Sequence, residues 1–356
     1  MKMQSKIAIL ALCITGVMMN GCSEKELKPR FSASFYKDGR FESKMDQEKL
    51  GFTDTLSILW ELFVKENEGT TPKPGTVPVH KLTREELLQM PEDTVVRLVH
   101  STLLFRLDGR FVLTDPVFSE RPSPISFMGP KRFHELPIAL DEMPYIDIVI
   151  ISHNHYDHLD EETIKGLKDR IGHIYTTLGI KSQLVDWGVD ASKITELDWW
   201  ESVEDHGLTI TAASAQHFSA RGFFDRNKTL WTSWVIKSAH TNLYFGADSG
   251  YFDGFKEIGD RYGPFDMTFL EAGAYNERWR SIHMMPEETV QAHLDLKGAR
   301  LFPIHNGSFK LAVHPWKEPL ERVSAEAERK GVELSHPKMG EAVPLLEYKA
   351  TEMWWE

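Results

Sequence analysis

The stretch Ile146-Asp-Ile-Val-Ile-Ile-Ser-His153-Asn-His155-Tyr-Asp157-His158-Leu-Asp160 puts three imidazoles and a carboxylate into six consecutive positions behind a run of β-branched residues. The run predicts a buried strand. Asp160, followed by Glu161, Glu162 and the apolar Ile164, Leu167 and Ile171, predicts an N-cap and an amphipathic helix over 160–170. The four ligand-type residues then fall on the strand-to-helix loop, where successive side chains can turn into one cavity. A lone surface histidine is ordinarily a solvated side chain, but four ligand-type residues in six positions are the pattern of a metal site. Imidazole with carboxylate and no thiolate favours zinc over manganese or iron.

Working outward, three more ligand-type residues each follow a predicted strand. His217 comes after Leu208 to Ala213, Asp248 after Leu243 to Phe245, and His305 after Leu301 to Ile304. Strand ends are rigid, so they fix loop residues well enough to assemble a site from distant parts of a chain. Further strands are predicted at Val95 to Val99 and Met267 to Leu270, with a hairpin from Thr102 to Thr114 around Asp108-Gly109. A second helix is predicted from Pro286 to Leu296, with proline in its first turn, two glutamates behind it and Gly298 past its end. No internal repeat is readable.

Composition bounds what surrounds these residues. A chain of 356 residues, 26% charged and 41% hydrophobic, is ordinary for a globular protein with a large core. The net charge of −12, with no Lys/Arg block, argues against a nucleic-acid partner. The first residues read as a targeting segment: Lys2 and Lys6, an apolar run from Ile7 to Met19, then Met19-Asn-Gly-Cys22. This resembles a bacterial lipoprotein signal, which implies cleavage before Cys22, a lipid anchor on that cysteine, and a place in the cell envelope, on the periplasmic or surface side of a membrane. The chain has two cysteines, Cys13 in the leader and Cys22. A lipidated Cys22 leaves no thiol for a disulfide, a nucleophile or a metal. Residues 1–21 are thus read as signal peptide, 22–91 as an extension and linker containing a helix over Asp54 to Glu66, and 92–356 as the main domain.

The order His-x-His-x-Asp-His, His, Asp, His resembles the ligand order of the metallo-β-lactamase fold. Within that superfamily the sequence is similar to the N-acyl-phosphatidylethanolamine-hydrolysing phospholipase D family. The likeness is carried by Thr114-Asp-Pro-Val-Phe, Met128-Gly-Pro-Lys-Arg-Phe, Ser152-His-Asn-His-Tyr-Asp-His-Leu-Asp, Glu196-Leu-Asp-Trp-Trp-Glu, Gly246-Ala-Asp-Ser-Gly-Tyr, Pro286-Glu-Glu and Ile304-His-Asn-Gly-Ser-Phe, among others between about residues 95 and 312. It implies an α/β fold, a four-layer αββα sandwich with two zinc ions at one edge. His153, His155 and His217 would hold one ion and Asp157, His158 and His305 the second, with Asp248 bridging. Asp157 and His283 are candidate catalytic residues, the first able to receive a proton and the second to bind or protonate a leaving oxygen. Tyr156 is a candidate substrate contact, and Asp115 and His100 are candidates to orient the ligands. The sequence departs from the family at Val99, where glycine is usual, at Asn306, where an aromatic is usual, and at Ile282, which replaces a polar residue.

The implied activity is cleavage of a phospholipid to phosphatidate and an N-acylethanolamine, with the membrane as the partner and an oligomer left open. The alternatives are a metal-dependent lactonase or phosphoesterase acting on a soluble compound, and an envelope protein that binds metal without turnover. Replacing Cys22 by alanine is expected to move the protein from the membrane pellet to the soluble fraction in cell fractionation; an unchanged distribution would remove the anchor from the account.

Overall fold

Strands that are apolar on both faces have to be covered on both sides, and the central strands of this chain are buried along nearly their whole length. The computed structural model describes residues 35–43, 57–58, 60–61, 68–222, 224–349 and 351–356. The leader, Cys22 and most of the expected Asp54–Glu66 helix lie outside the described residues; Ser57, Ile58, Trp60 and Glu61 are helical.

A short hairpin, β1 (Tyr36–Lys37) and β2 (Arg40–Phe41), precedes the main body. The strands β3 (Thr94–Val99), β4 (Thr102–Leu107), β5 (Arg110–Thr114), β6 (Ile146–Ile150), β7 (Ile171–Thr177) and β8 (Ile194–Leu197) follow. Then come β9 (Ser202–Asp205), β10 (Leu208–Ala213), β11 (Ser233–Lys237), β12 (Asn242–Phe245), β13 (Phe265–Glu271), β14 (Gly298–Ile304), β15 (Glu333–Leu334) and β16 (Ala342–Pro344). They form two seven-stranded sheets, ordered β16-β3-β4-β5-β6-β7-β8 and β9-β10-β11-β12-β13-β14-β15. In each sheet, read in that order, three antiparallel pairings are followed by three parallel ones. The two halves therefore repeat one topology, a duplication of backbone that the sequence does not display.

Phe105, Trp234, Phe245, Phe269 and Phe302 fill the space between the sheets with Ile148 and Ile150. The helices α1 (Arg84–Leu88), α2 (Glu161–Leu167) and α3 (Lys181–Asp186) cover the outer face of the first sheet through Leu87, Ile164, Leu167 and Leu184. On the second sheet, α4 (Gly254–Tyr262), α5 (Pro286–Asp295) and α6 (Glu318–Lys330) bury Phe255, Ile258, Val290 and Val323. The result is the expected four-layer αββα sandwich.

Two local readings need correction. Asp160 occupies the N-cap position of α2, but its carboxylate makes no cap bond to that helix. It accepts instead from Ser119 N–H at 2.9 Å, from the Ser119 hydroxyl at 2.9 Å and from the Thr163 hydroxyl, tying the helix to the loop after β5. Part of the stretch read as an extension is built into the body: His80 N–H donates to Met339 O at 2.8 Å, and Leu87 and Met90 are buried with the first sheet. The C-terminal tryptophans pack as well, Trp355 edge-on to His336 and Trp354 donating its indole N–H to His336 O at 3.1 Å. Among the described residues no helix is long and apolar enough to cross a membrane.

Phe269 is fully buried between the rings of Phe105, at 5.2 Å and 90°, and Phe302, at 5.1 Å. Phe269→Ala is expected to cost about 3–5 kcal/mol of stability in denaturant unfolding. A loss below about 1 kcal/mol would mean that the interface between the sheets is not the core.

Candidate metal centre

Every ligand-type residue singled out above lies at one edge of the sandwich, because parallel strands deliver their C-terminal ends to the same side. The loop after β6 carries His153, His155, Asp157 and His158; His217 follows β10, Asp248 follows β12 and His305 follows β14. The backbone is held in unusual conformations there. His100, Asp115, Ala247 and His305 have φ of 45°, 35°, 50° and 62°, left-handed values that cost non-glycine residues about 1–3 kcal/mol each and persist only where the surroundings over-determine them.

The donor atoms converge in two sets. In the first, His153 Nε2 is 2.9 Å from His155 Nδ1, which is 3.2 Å from His217 Nε2; Asp248 Oδ2 lies 3.9 and 3.7 Å from His153 and His217. In the second, Asp157 Oδ2 is 3.3 Å from His305 Nε2 and 3.7 Å from His158 Nε2. Asp248 also reaches this set, with Oδ2 3.2 Å from His305 Nε2 and Oδ1 3.1 Å from His158 Nε2. Among the described residues three four-residue groups with mutually close donors result, His153-His155-His217-Asp248, His100-Asp157-His158-His305 and, beside them, Asp248-Glu271-His283-His305. The structure thus brings together all seven residues that the resemblance implied, in the same two groupings, with Asp248 between them.

These residues fit divalent cations on their own chemistry. Zn–N bonds of about 2.0–2.1 Å put the corners of a tetrahedral site about 3.3 Å apart, close to the spacings seen. His158 Nε2 and Asp248 Oδ1 are buried and face each other at 3.1 Å, the spacing of two ligands on one cation. Three of the ring nitrogens that face away from the cluster are held by the protein. His158 Nδ1–H donates to Asp115 Oδ2 at 2.8 Å, His217 Nδ1–H to Ile282 O at 2.9 Å, and His153 Nδ1 meets Ser152 Oγ at 2.9 Å. Such partners fix which nitrogen faces the metal. Asp115 therefore orients His158, and also accepts from Ser152 N–H at 2.8 Å.

Charge in the cluster is divided. Burial holds the imidazoles of His153 and His217 well below their ordinary pKa and pushes His155 down to about 4, so these rings are neutral. Burial opposes a proton on His158 and His305 too, but the Asp248 and Asp157 carboxylates outweigh it, raising His158 well above its ordinary value and His305 to about 9. A cation entering the second set must displace those protons.

The departures from the family have local causes. Arg97 is 2% exposed, and its guanidinium donates to His100 O at 2.9 Å, Asn306 Oδ1 at 3.0 Å and Asn306 O at 2.6 Å. Asn306 thus supplies an acceptor to a buried cation, which an aromatic could not. Ile282 reaches the centre through its carbonyl, so its side chain is immaterial to His217. Val99 is buried with Val117 and Phe309.

Three residues have roles other than those read from sequence. Tyr156 turns to the protein: its hydroxyl donates to Arg221 O at 3.0 Å and the Arg221 guanidinium lies 3.8 Å from its ring centre, so the hydroxyl expected to meet substrate is spent on the loop. His100, expected only to orient a ligand, stands among the donors, its Nε2 3.3 Å from Asp157 Oδ2 and its ring 3.9 Å from that of His305. Burial lowers its pKa to about 3, which keeps it neutral. Glu271 was not anticipated. It ends β13, is fully buried, and its Oε2 accepts from His283 Nδ1–H at 2.6 Å. An acid following Phe269-Leu270 at the end of a buried strand is the signal that could have marked it.

The remaining comparison is with known proteins. Residues 110–306 match the beta-lactamase superfamily domain. The chain belongs to the metallo-β-lactamase superfamily and is a metal-dependent hydrolase of that class. Within it, the chain is 40% identical over 331 residues to an uncharacterized protein of Mycobacterium tuberculosis, covering 90% of this chain and 87% of the relative. It is 34% identical over 275 residues to N-acyl-phosphatidylethanolamine-hydrolyzing phospholipase D 1 of Caenorhabditis elegans, covering 73% and 77%, and so belongs to the sequence family that includes that enzyme. Among solved structures, a possible metal-dependent hydrolase from Veillonella parvula shares the fold with a TM-score of 0.57 at 15% identity, over 71% of this chain and 100% of that one.

Because His158 and His305 carry protons at neutral pH when no metal is bound, zinc loading at pH 7 is expected to release about two protons per chain. Release should decline as pH rises through about 9, the His305 value. Calorimetry in buffers of different ionisation enthalpy measures this directly, and binding with no proton release would contradict the second ligand set.

Proposed function

We propose that the protein is a di-zinc phosphodiesterase of phospholipase D type, cleaving N-acyl-phosphatidylethanolamine or a similar phospholipid to phosphatidate and N-acylethanolamine. We further propose that it works in the bacterial cell envelope, tethered to a membrane through Cys22. The observation that carries the reading is the two-set cluster bridged by Asp248, in a chain 34% identical over 275 residues to an enzyme named for that reaction.

His153, His155 and His217 would hold one zinc and Asp157, His158 and His305 the other, with Asp248 touching both. When bound, the pair of cations supplies a water activated near neutral pH and neutralises charge developing on the phosphoryl oxygens. The rest falls to the chain. Burial opposes charge on Asp157 and Asp248, but the surrounding imidazoles outweigh it and keep both carboxylates ionised, the form in which they ligate a cation. His283, with its ring 5.1 Å from that of His217 and 5.4 Å from that of His305, stands beside both sets; Glu271 holds its Nδ1, so Nε2 is the nitrogen assigned to a leaving oxygen. Five of the seven ligands are buried, while His155 and Asp157 are partly exposed and open the centre to substrate.

The zinc-loaded mature protein is expected to release phosphatidate and N-acylethanolamine from vesicles containing N-acyl-phosphatidylethanolamine, followed by mass spectrometry. Asp157→Asn should lower the rate by about 100-fold or more. Turnover of water-soluble esters or lactones alone would favour the soluble-substrate reading, and equal activity of the Asp157 variant would favour binding without catalysis.

A further inference from the structure

Glu271 belongs to neither of the two sets assigned to metal above, although its donor atoms lie close to those of Asp248, His283 and His305. Glu271 spends both oxygens on donors from the protein: Oε1 accepts from Ser249 N–H at 3.1 Å and from Met284 N–H at 3.0 Å, and Oε2 from His283 Nδ1–H at 2.6 Å. Its main chain is pinned as well, the carbonyl accepting from the Thr289 hydroxyl of α5 at 2.7 Å. Gly273, two residues on, passes so close to His305 that a Cβ there would lie 2.2 Å from the His305 carbonyl oxygen. The carboxylate is thus rigidly placed, next in chain to neither metal set but bonded to residues adjacent to Asp248 and His283. Burying a carboxylate is costly, and three N–H groups are what compensates it.

We propose that Glu271 is a positioning residue for His283, holding Nδ1–H so that Nε2 faces the reacting phosphodiester. This rests on the phosphodiesterase reading for its substrate, but the orientation it assigns is a property of the protein alone. A bond of 2.6 Å to a carboxylate fixes both the ring plane and the tautomer: in the neutral ring Nε2 is the acceptor, and it becomes a donor only on taking a second proton. The neighbouring rings of His217 and His305 border it on two sides, and the His283 side chain is 13% exposed, so Nε2 stays within reach of a substrate oxygen.

Glu271→Gln separates orientation from simple support. The amide keeps the shape and can still accept from Ser249 and Met284, but it turns an NH2 towards Nδ1 and forces the opposite tautomer on His283. In the zinc-loaded full-length protein labelled with 15N-histidine, a low-field Nδ1–H resonance is expected that disappears in both His283→Asn and Glu271→Gln, with metal content unchanged in both. With bis(4-nitrophenyl) phosphate as the probe, kcat of Glu271→Gln should fall by about 100-fold with KM within about twofold, and the Glu271→Gln/His283→Asn double variant should be no slower than His283→Asn alone. Should the amide variant not fold, Glu271→Asp withdraws the carboxylate by one methylene and predicts the same loss of the resonance. A resonance that persists in Glu271→Gln, a loss of bound metal, or additive effects in the double variant would each overturn the proposal. If the wild-type protein hydrolyses no phosphodiester, the phosphodiesterase reading fails while the resonance alone still decides the role of Glu271.

Discussion

A carboxylate sunk among imidazoles sets the terms for the rest of the molecule. Asp248 is 3% exposed and lies within 3.9 Å of ring nitrogens from His153, His158, His217 and His305. Without cations such a group of lone pairs and partial charges is held together only by protons on His158 and His305. With two cations each short contact becomes an edge of a coordination shell. The cluster is therefore costly to build and becomes favourable when metal is bound, so the fold has to hold it in place beforehand.

The sandwich does so by using the C-terminal ends of β6, β12, β13 and β14 as fixed mounts and by bracing the loops between them. Asp115 holds Ser152 and His158. Arg97, a buried guanidinium that burial brings down to about 9 and which is still charged at neutral pH, fastens the turn at His100 to the segment after His305. Four residues of the centre or its support accept left-handed backbone conformations. The duplicated sheet topology explains why two strands at equivalent places, β5 and β12, each lead into an aspartate of the site, Asp115 and Asp248. One half supplies the carboxylate that orients His158 and the other the carboxylate that lies between the two sets.

Much of this was legible in the sequence because the signals are local. The β6 run and the His-x-His-x-Asp-His loop lie side by side, and β10 falls where alternating Leu208, Ile210 and Ala212 put it. What escaped was set by tertiary contact. Glu271 and His100 are isolated polar residues whose partners lie 12 and 57 positions away. Tyr156 turned out to serve Arg221, another partner remote in sequence. The helix α6, in which Leu320, Val323 and Ala327 bury one face, was obscured by its many charges and by Pro319. The repeat of topology left no trace in residue identity because only burial, not any particular side chain, is needed to rebuild the same sheet.

The proposed chemistry requires two cations sharing Asp248. Diffraction from crystals grown with zinc, with anomalous data collected on both sides of the zinc edge, locates them without reference to any substrate. The prediction is two peaks about 3.5–4 Å apart, one against His153, His155 and His217 and the other against Asp157, His158 and His305, with Asp248 touching both. A single peak, or none with these rings turned away from one another, would contradict it.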